Sequence, residues 1–276
     1  MKQKILLSLV ALTSLLVLSA HDLFIKIDSF FLKPNSETLI YVYNGTFGKS
    51  EAILARDRMV DVSLINPGEE IVHPDSSLWF EENNQTMLKI KTRKEGTGVL
   101  GVSTSTRVGN FTPESFISNM KHEGLLNVLE ERKNTGEDVN PVRKKYSKHV
   151  KAIFQVGDEL SEEYKTILGY AIEFVPMTNP YSLTLGDELA MKLLIDGQPV
   201  AEEMVYASYN DTFGHANDGS ALDAYQMKTD ENGMIRVKIT DVGHWYFRTV
   251  NLKKSTESDA DYISISASLT FEVKAP

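Results

Sequence analysis

The feature that most constrains this chain is the steady return of short alternating segments, each closed by turn-forming residues. Leu23-Phe24-Ile25-Lys26-Ile27 and Leu39-Ile40-Tyr41-Val42-Tyr43 are rich in β-branched and aromatic side chains, with Lys33-Pro34-Asn35-Ser36 between them. Val60-Asp61-Val62-Ser63-Leu64-Ile65 alternates and stops at Asn66-Pro67-Gly68. Met87-Leu88-Lys89-Ile90-Lys91-Thr92 alternates again, and Gly98-Val99-Leu100-Gly101-Val102 follows a Glu95-Gly96 turn signal. Side chains along a strand point alternately to two faces, so such a segment buries its apolar face only against a second layer. Strands at roughly ten-residue spacing therefore predict an antiparallel sandwich over residues 21–112.

Residues 113–165 read differently. Thr112 is a plausible N-cap with Pro113 at the first helical position, and Phe116, Ile117, Met120, Leu125, Leu126, Val128 and Leu129 recur at mixed helical spacing. A charged, turn-like stretch over 130–138 and a basic stretch over 143–150 follow, so this segment is expected to be a solvated helical insert or linker, with His122 and His149 in solvent. The last third returns to β. Leu189-Ala190-Met191-Lys192-Leu193 runs to the turn Asp196-Gly197-Gln198-Pro199, and Thr229-Asp230-Glu231-Asn232-Gly233 feeds Met234-Ile235-Arg236-Val237-Lys238-Ile239. The expected fold is mainly β: two immunoglobulin-like or transthyretin-like β-sandwich domains, over 21–112 and 166–276, joined by a helical charged insert over 113–165.

The first twenty residues read as an address. Met1-Lys2-Gln3-Lys4 is a short positive region, residues 5–18 are uncharged and rich in Leu and Val, and Ser19-Ala20 offers a small residue at a cleavage site. The run is short of the roughly 20 residues a membrane span needs, and no later stretch approaches that length. The expectation is a signal peptide cleaved after Ala20 and a mature chain in the periplasm that does not span the membrane. Retention of the segment as an anchor is the alternative. With 29 basic against 38 acidic residues and a formal charge of -9, the chain lacks the basic surface a polyanion needs, which argues against nucleic acid as a partner. The absence of cysteine excludes disulfides, thiol nucleophiles and thiolate metal sites.

Cleavage after Ala20 would leave His21 as the first residue. Its free α-amine and ring nitrogen form one chelate, and Asp22 adds a carboxylate; nitrogen donors of this kind suit Ni, Co, Cu or Zn. Of the other histidines, His215 lies in the polar loop 210–220, where binding residues tend to be mounted, and His244 opens an aromatic strand. The candidate metal ligands are therefore His21 and His215, then His244 and Asp22. No Gly-x-Ser-x-Gly elbow, phosphate-cradling loop or dinucleotide fingerprint is present, and the chain is read as a binding protein and not an enzyme.

Several segments together resemble a known family. They are Ala20-His21-Asp22-Leu23-Phe24-Ile25-Lys26, Asn44-Gly45-Thr46-Phe47-Gly48, Ala55-Arg56-Asp57-Arg58, Tyr146-Ser147-Lys148-His149-Val150, Leu168-Gly169-Tyr170 and Trp245-Tyr246-Phe247-Arg248. The chain resembles a bacterial exported family of unknown function labelled as a nickel-uptake substrate-specific region, associated with cobalt and nickel transport. The resemblance covers almost all of the mature chain. It implies a periplasmic sandwich protein that binds a divalent transition metal, with an envelope transporter component as partner. Family members often carry a histidine-rich loop where this chain has His215 amid Asn and Asp.

The leading expectation is thus an accessory to metal uptake or handling. Two rivals stand beside it. One is a non-metal module for carbohydrate or an envelope partner, using Trp79, Phe80, Tyr225, Trp245 and Tyr246. The other is a copper oxidase with an N-terminal histidine brace, which requires a second ring nitrogen facing the first.

Overall fold

The computed structural model describes residues 22–210, 214–215, 221–222 and 225–275, with backbone alone at 214–215 and 221–222. The first part of the chain is strand after strand. These are β1 (Asp22–Ile27), β2 (Phe31–Leu32), β3 (Glu37–Gly45), β4 (Ser50–Ala52), β5 (Met59–Ile65), β6 (Trp79–Glu82), β7 (Gln85–Lys91), β8 (Gly96–Thr104) and β9 (Arg107–Phe111). Two helices follow, α1 (Pro113–Glu123) and α2 (Leu126–Asn134), then the long strand β10 (Val142–Val156). After it come β11 (Ile172–Pro176), β12 (Glu188–Ile195), β13 (Gln198–Pro199), β14 (Met204–Tyr209), β15 (Gly214–His215) and β16 (Ala221–Leu222). The chain closes with β17 (Tyr225–Lys228), β18 (Met234–Lys238), β19 (Gly243–Lys254) and β20 (Tyr262–Val273).

The mainly-β, sandwich-based expectation holds. The sandwiches are built around one shared layer: a nine-stranded sheet of order β17-β14-β19-β20-β10-β8-β5, with β2 and β9 also on β10. One outer sheet, β1-β3-β7-β6 with β4, covers one face of this layer; a second, β11-β12-β13 with β18, covers the other. Alternation along the shared strands sorts their side chains between the two cores. Val150, Ala152 and Phe154 of β10 join Leu23, Ile25, Ile40, Val42 and Leu88 in the first core. Ile153 of the same strand joins Phe174, Leu189, Met191, Trp245, Phe247 and Phe271 in the second. Each fully buried Leu, Ile or Phe contributes about 1.5–3 kcal/mol, so both cores depend on the strands of the middle layer.

The helical reading of the basic stretch is corrected. Residues 142–156 form β10, which pairs in parallel with β20 (Lys144 opposite Tyr262 through Ala152 opposite Thr270) and antiparallel with β8 and β9. Its charge suggested a solvated segment, but Lys144 and Lys151 are buried, each with a carboxylate partner. Paired cations are tolerated in an interior where lone ones are not. The helical part of the insert is confined to α1 and α2. Thr112 caps α1 by accepting from the Ser115 N–H, Pro113 occupies its first turn, and Gly124 ends it in the left-handed region at φ 77°.

α1 and α2 lie on the same face of the middle sheet as the first outer sheet, beyond the start of β1. Phe116, Met120 and Val128 pack there on Phe111, Val142 and Tyr262. Ser268 and Thr270 of β20 donate to the carbonyls of Leu23 (2.7 Å) and Ile25 (2.6 Å), fixing where β1 crosses the sheet. Among the described residues no helix is long and apolar enough to cross a membrane.

Candidate functional site

Between these two roofs, outer sheet and helices, the face of the middle sheet turns polar. Asp22, the first residue of β1, directs its carboxylate into this seam. Its Oδ2 lies 3.6 Å from His122 Nε2 on the last turn of α1 and 3.9 Å from Arg248 Nε in the middle of β19. All three side chains are largely buried, at 12%, 13% and 2% exposure for Asp22, His122 and Arg248. The Arg248 guanidinium also lies 4.5 Å over the Tyr206 ring, and the Tyr206 hydroxyl donates to the Gly124 carbonyl at 3.1 Å, tying the end of α1 to the sheet.

Further into the seam, Lys144 donates to the Asn119 side-chain oxygen and to Glu123 Oε1 (3.3 Å), while Asn119 donates to the same carboxylate at 2.9 Å. The electrostatics follow from this crowding. Burial opposes charge on Asp22, but the nearby Arg248, His122 and Lys148 outweigh it and hold the carboxyl well below the usual range. Burial, with Lys144 and Arg58 nearby, outweighs the attraction of Asp22 and Glu123 and pulls Lys148 down to about 8.

The candidate ligands separate on this frame. Asp22 is in the seam. His21, the residue before it, lies outside the described residues, as does the signal segment 1–20. His215 is described by backbone alone: β15 pairs with β16, and β16 lies beside α1. His244 is elsewhere, four residues before Arg248 on β19, about 13 Å at strand rise. Its ring packs edge-on against Phe30 at 5.2 Å, with Nε2 3.7 Å from Glu272. Among the described residues no group of three His, Cys, Asp or Glu is placed to hold a metal ion. The seam brings one imidazole, that of His122, up to one carboxylate, that of Asp22.

Two histidines expected in solvent are not there. His122 faces Asp22, and His149 is buried on the opposite face of β10, its ring nitrogens 2.9 Å from Ser103 Oγ and 3.1 Å from Ser147 Oγ. The signal for His122 was a polar stripe: Asn119, His122 and Glu123 share a helical face beside Phe116 and Met120. Arg248 had a signal too, as a lone charge inside the apolar run Trp245 to Val250, where it must be paired. Of the five aromatic residues considered for a binding face, Trp245 and Tyr246 are fully buried and Tyr225 stacks on Trp245 at 5.9 Å, so these three rings belong to the cores, whereas Trp79 is half-buried and Phe80 is exposed.

Fold and seam define a sandwich protein with a buried polar site at the head of its first strand. The chain belongs to the family described as domain of unknown function DUF4198, whose model matches residues 18–253. No curated protein matches it. Solved structures similar to it include the D0–D1 domain of intimin, at 12% identity and TM-score 0.22, covering 91% of this chain and 97% of that one. Elastase-activated Escherichia coli alpha-2-macroglobulin matches at 12% identity and TM-score 0.24, covering 92% of this chain and 20% of that one. The Yersinia pseudotuberculosis adhesin InvE matches at 10% identity and TM-score 0.22, covering 91% and 58%.

Proposed function

We propose that this is an exported envelope protein that binds a divalent transition metal, Ni²⁺, Co²⁺ or Cu²⁺, at its processed N-terminus, as an accessory to metal uptake or handling. The signal segment is cleaved after Ala20, the mature chain resides in the periplasm, and an envelope transporter component is its partner. The resemblance to nickel-uptake proteins motivates the metal.

The observation that carries the reading is where β1 begins. Asp22 is already paired in register with Gly45 and its carboxylate is buried in the seam, so the residue that precedes it in sequence is covalently joined to a strand residue of the seam. The proposed donors are the free amine and the imidazole of residue 21. Amine and imidazole ligate only when deprotonated, so affinity falls on acidification.

The test uses protein exported with its leader, His21 being verified as the first residue by N-terminal sequencing. A second version carries one extra alanine between Ala20 and His21. Calorimetric titration with Ni²⁺, Co²⁺, Cu²⁺ and Zn²⁺ should give tight binding that the extended version loses. Equal, weak binding in both would overturn the proposal.

A further inference from the structure

Independently of the metal reading, we propose that a groove on the open edge of the first outer sheet captures the end of an extended peptide: an apolar C-terminal residue, its free carboxylate and the backbone just before it. The groove has a volume of about 240 Å³ and lies between β7 and the 72–78 segment that leads from β5 to β6.

Three observations lead there. The first is an unfinished strand edge. Thr92 donates its N–H to the Ser36 carbonyl at 2.9 Å, on the β3 side. Along β7 the backbone groups of even-numbered residues therefore face β3 and those of odd-numbered residues face away from it. β6 covers that far side only up to Trp79, opposite Leu88. Ahead of Trp79 the chain turns off through a 3-10 turn, Ser76–Leu78, capped by the Asp75 carboxylate on the Ser77 N–H at 2.8 Å. The N–H and C=O of Lys91 thus face an edge that β6 leaves open, and an extended chain can add to such an edge.

The second observation is what lines the groove. Leu64, Val72, Leu78 and Ile90 give it apolar walls, and Val72 and Leu78 stay 45% and 40% exposed, so apolar surface is left for a side chain to cover. Lys89, Lys91 and Arg93 line the same groove against one carboxylate, Glu37, which pairs with Lys89 at 3.0 Å. Even with Arg93 held by Glu69 at 3.6 Å, cations outnumber carboxylates here, in a chain of formal charge -9. A carboxylate is the group that such a surplus complements.

The third is a histidine held in one orientation. His73 Nδ1 lies 2.8 Å from the Val62 carbonyl and 3.2 Å from Asp61 Oδ1, both acceptors. That nitrogen therefore carries the proton, and Nε2 of the neutral ring is an acceptor. Asp61 is fixed in turn by the hydroxyls of Ser63 at 2.8 Å and Tyr170 at 2.7 Å. A surface histidine needs no such support to be tolerated; here it sets an oriented acceptor at the wall of the groove, suited to a peptide N–H. The wall is fastened to β5, because Leu64 and Val72 exchange both backbone hydrogen bonds, at 2.8 and 2.9 Å. The last side chain of the peptide then rests on the apolar walls, its carboxylate meets Lys91 and Arg93, and the preceding backbone pairs with Lys91.

The experiment measures fluorescence anisotropy of labelled peptides, Gly-Ser-Thr-Ser-Thr followed by Val, Leu or Phe, against the exported protein. Saturable binding is expected for at least one free-carboxylate peptide, and its C-terminal amide should bind at least about tenfold more weakly. Lys91→Gln should weaken binding severalfold by removing a cation. Lys91→Pro should weaken it further, because proline also removes the outward N–H while the ladder to β3 stays intact. Leu78→Ser should weaken it through lost apolar contact, and urea midpoints check that each variant folds. No saturable binding of any free-carboxylate peptide up to millimolar concentration overturns the proposal, as does equal binding of acid and amide. Both are read on the native protein and do not depend on a variant folding. Equal affinity of Lys91→Gln and Lys91→Pro would mean that no strand is added. Binding of octanoate with no binding of the peptides would assign the groove to a small apolar carboxylate and overturn the peptide.

Discussion

Arg248, in the middle of β19, and Asp22, at the head of β1, form a buried ion pair 3.9 Å apart that joins the middle sheet to the outer one. Breaking a buried pair from one side strands the other charge, which costs roughly 3–5 kcal/mol. Arg248→Met should therefore destabilise by about that amount in urea denaturation at neutral pH. Adding Asp22→Asn to Arg248→Met should recover a substantial part, because the stranded carboxylate is gone. A loss below about 1 kcal/mol for Arg248→Met would mean that the pair is not a fastening between the layers.

A second buried pair fastens the loop before β11. Lys151 and Glu173 meet at 3.0 Å with both side chains 1% exposed. Lys151 also donates to the carbonyls of Thr166 and Phe174, and Glu173 accepts from the N–H groups of Leu168, Gly169 and Tyr170. Glu173→Ala removes the partner of a buried ammonium and the acceptor of three amides, so a loss of at least roughly 3–5 kcal/mol is expected. Lys151→Met combined with Glu173→Gln should be milder, since no buried charge is stranded and the glutamine oxygen can still accept from Gly169 and Tyr170, though its NH2 group then faces the Leu168 N–H. Urea midpoints of the two proteins make the comparison.

His149 gives the fold a pH dependence. Burial, only partly opposed by Glu173, pulls its pKa from the ordinary 6.5 down to about 4. Between those values the unfolded chain binds a proton that the folded chain refuses, so stability falls as pH drops from 6.5 to 4. The full difference is on the order of 3 kcal/mol and does not grow below pH 4. His149→Gln should flatten this window in urea denaturations run from pH 7 to pH 4, whatever carboxylates add in common to both proteins. Parallel curves would show that His149 takes up its proton in the folded state.

The strands over 23–102 and 172–273 were legible because their apolar residues alternate between plain turn signals. β10 was not, because Lys144, Lys148 and Lys151 read as solvent-facing until Glu123, Asp22 and Glu173 are seen beside them. Nor was the shared middle sheet, which depends on β10 lying parallel to β20 with Lys144 opposite Tyr262. Pairing across such a separation leaves no local mark. In the site, Asp22 could be named because it follows the cleavage site expected from the sequence. His122 needed the register of α1 and its docking against β1, which spacing alone does not supply.

Gly124 links the helix end to the seam, and its replacement separates packing from backbone strain. It lies at φ 77°, and a Cβ there would fall 1.8 Å from the Tyr206 hydroxyl. Gly124→Ala thus carries both the left-handed penalty of roughly 1–2 kcal/mol and an overpacking cost of about 1–3 kcal/mol. Gly136 is the control: it lies at φ 71° with nothing within 4 Å of its would-be Cβ, so Gly136→Ala should show the backbone penalty alone. Because Tyr206 also lies under the Arg248 guanidinium, the greater loss expected in Gly124→Ala reports on the junction between α1 and the middle sheet. Thermal unfolding of both proteins tests this. Equal loss of stability at the two positions would mean that Tyr206 does not brace the helix end.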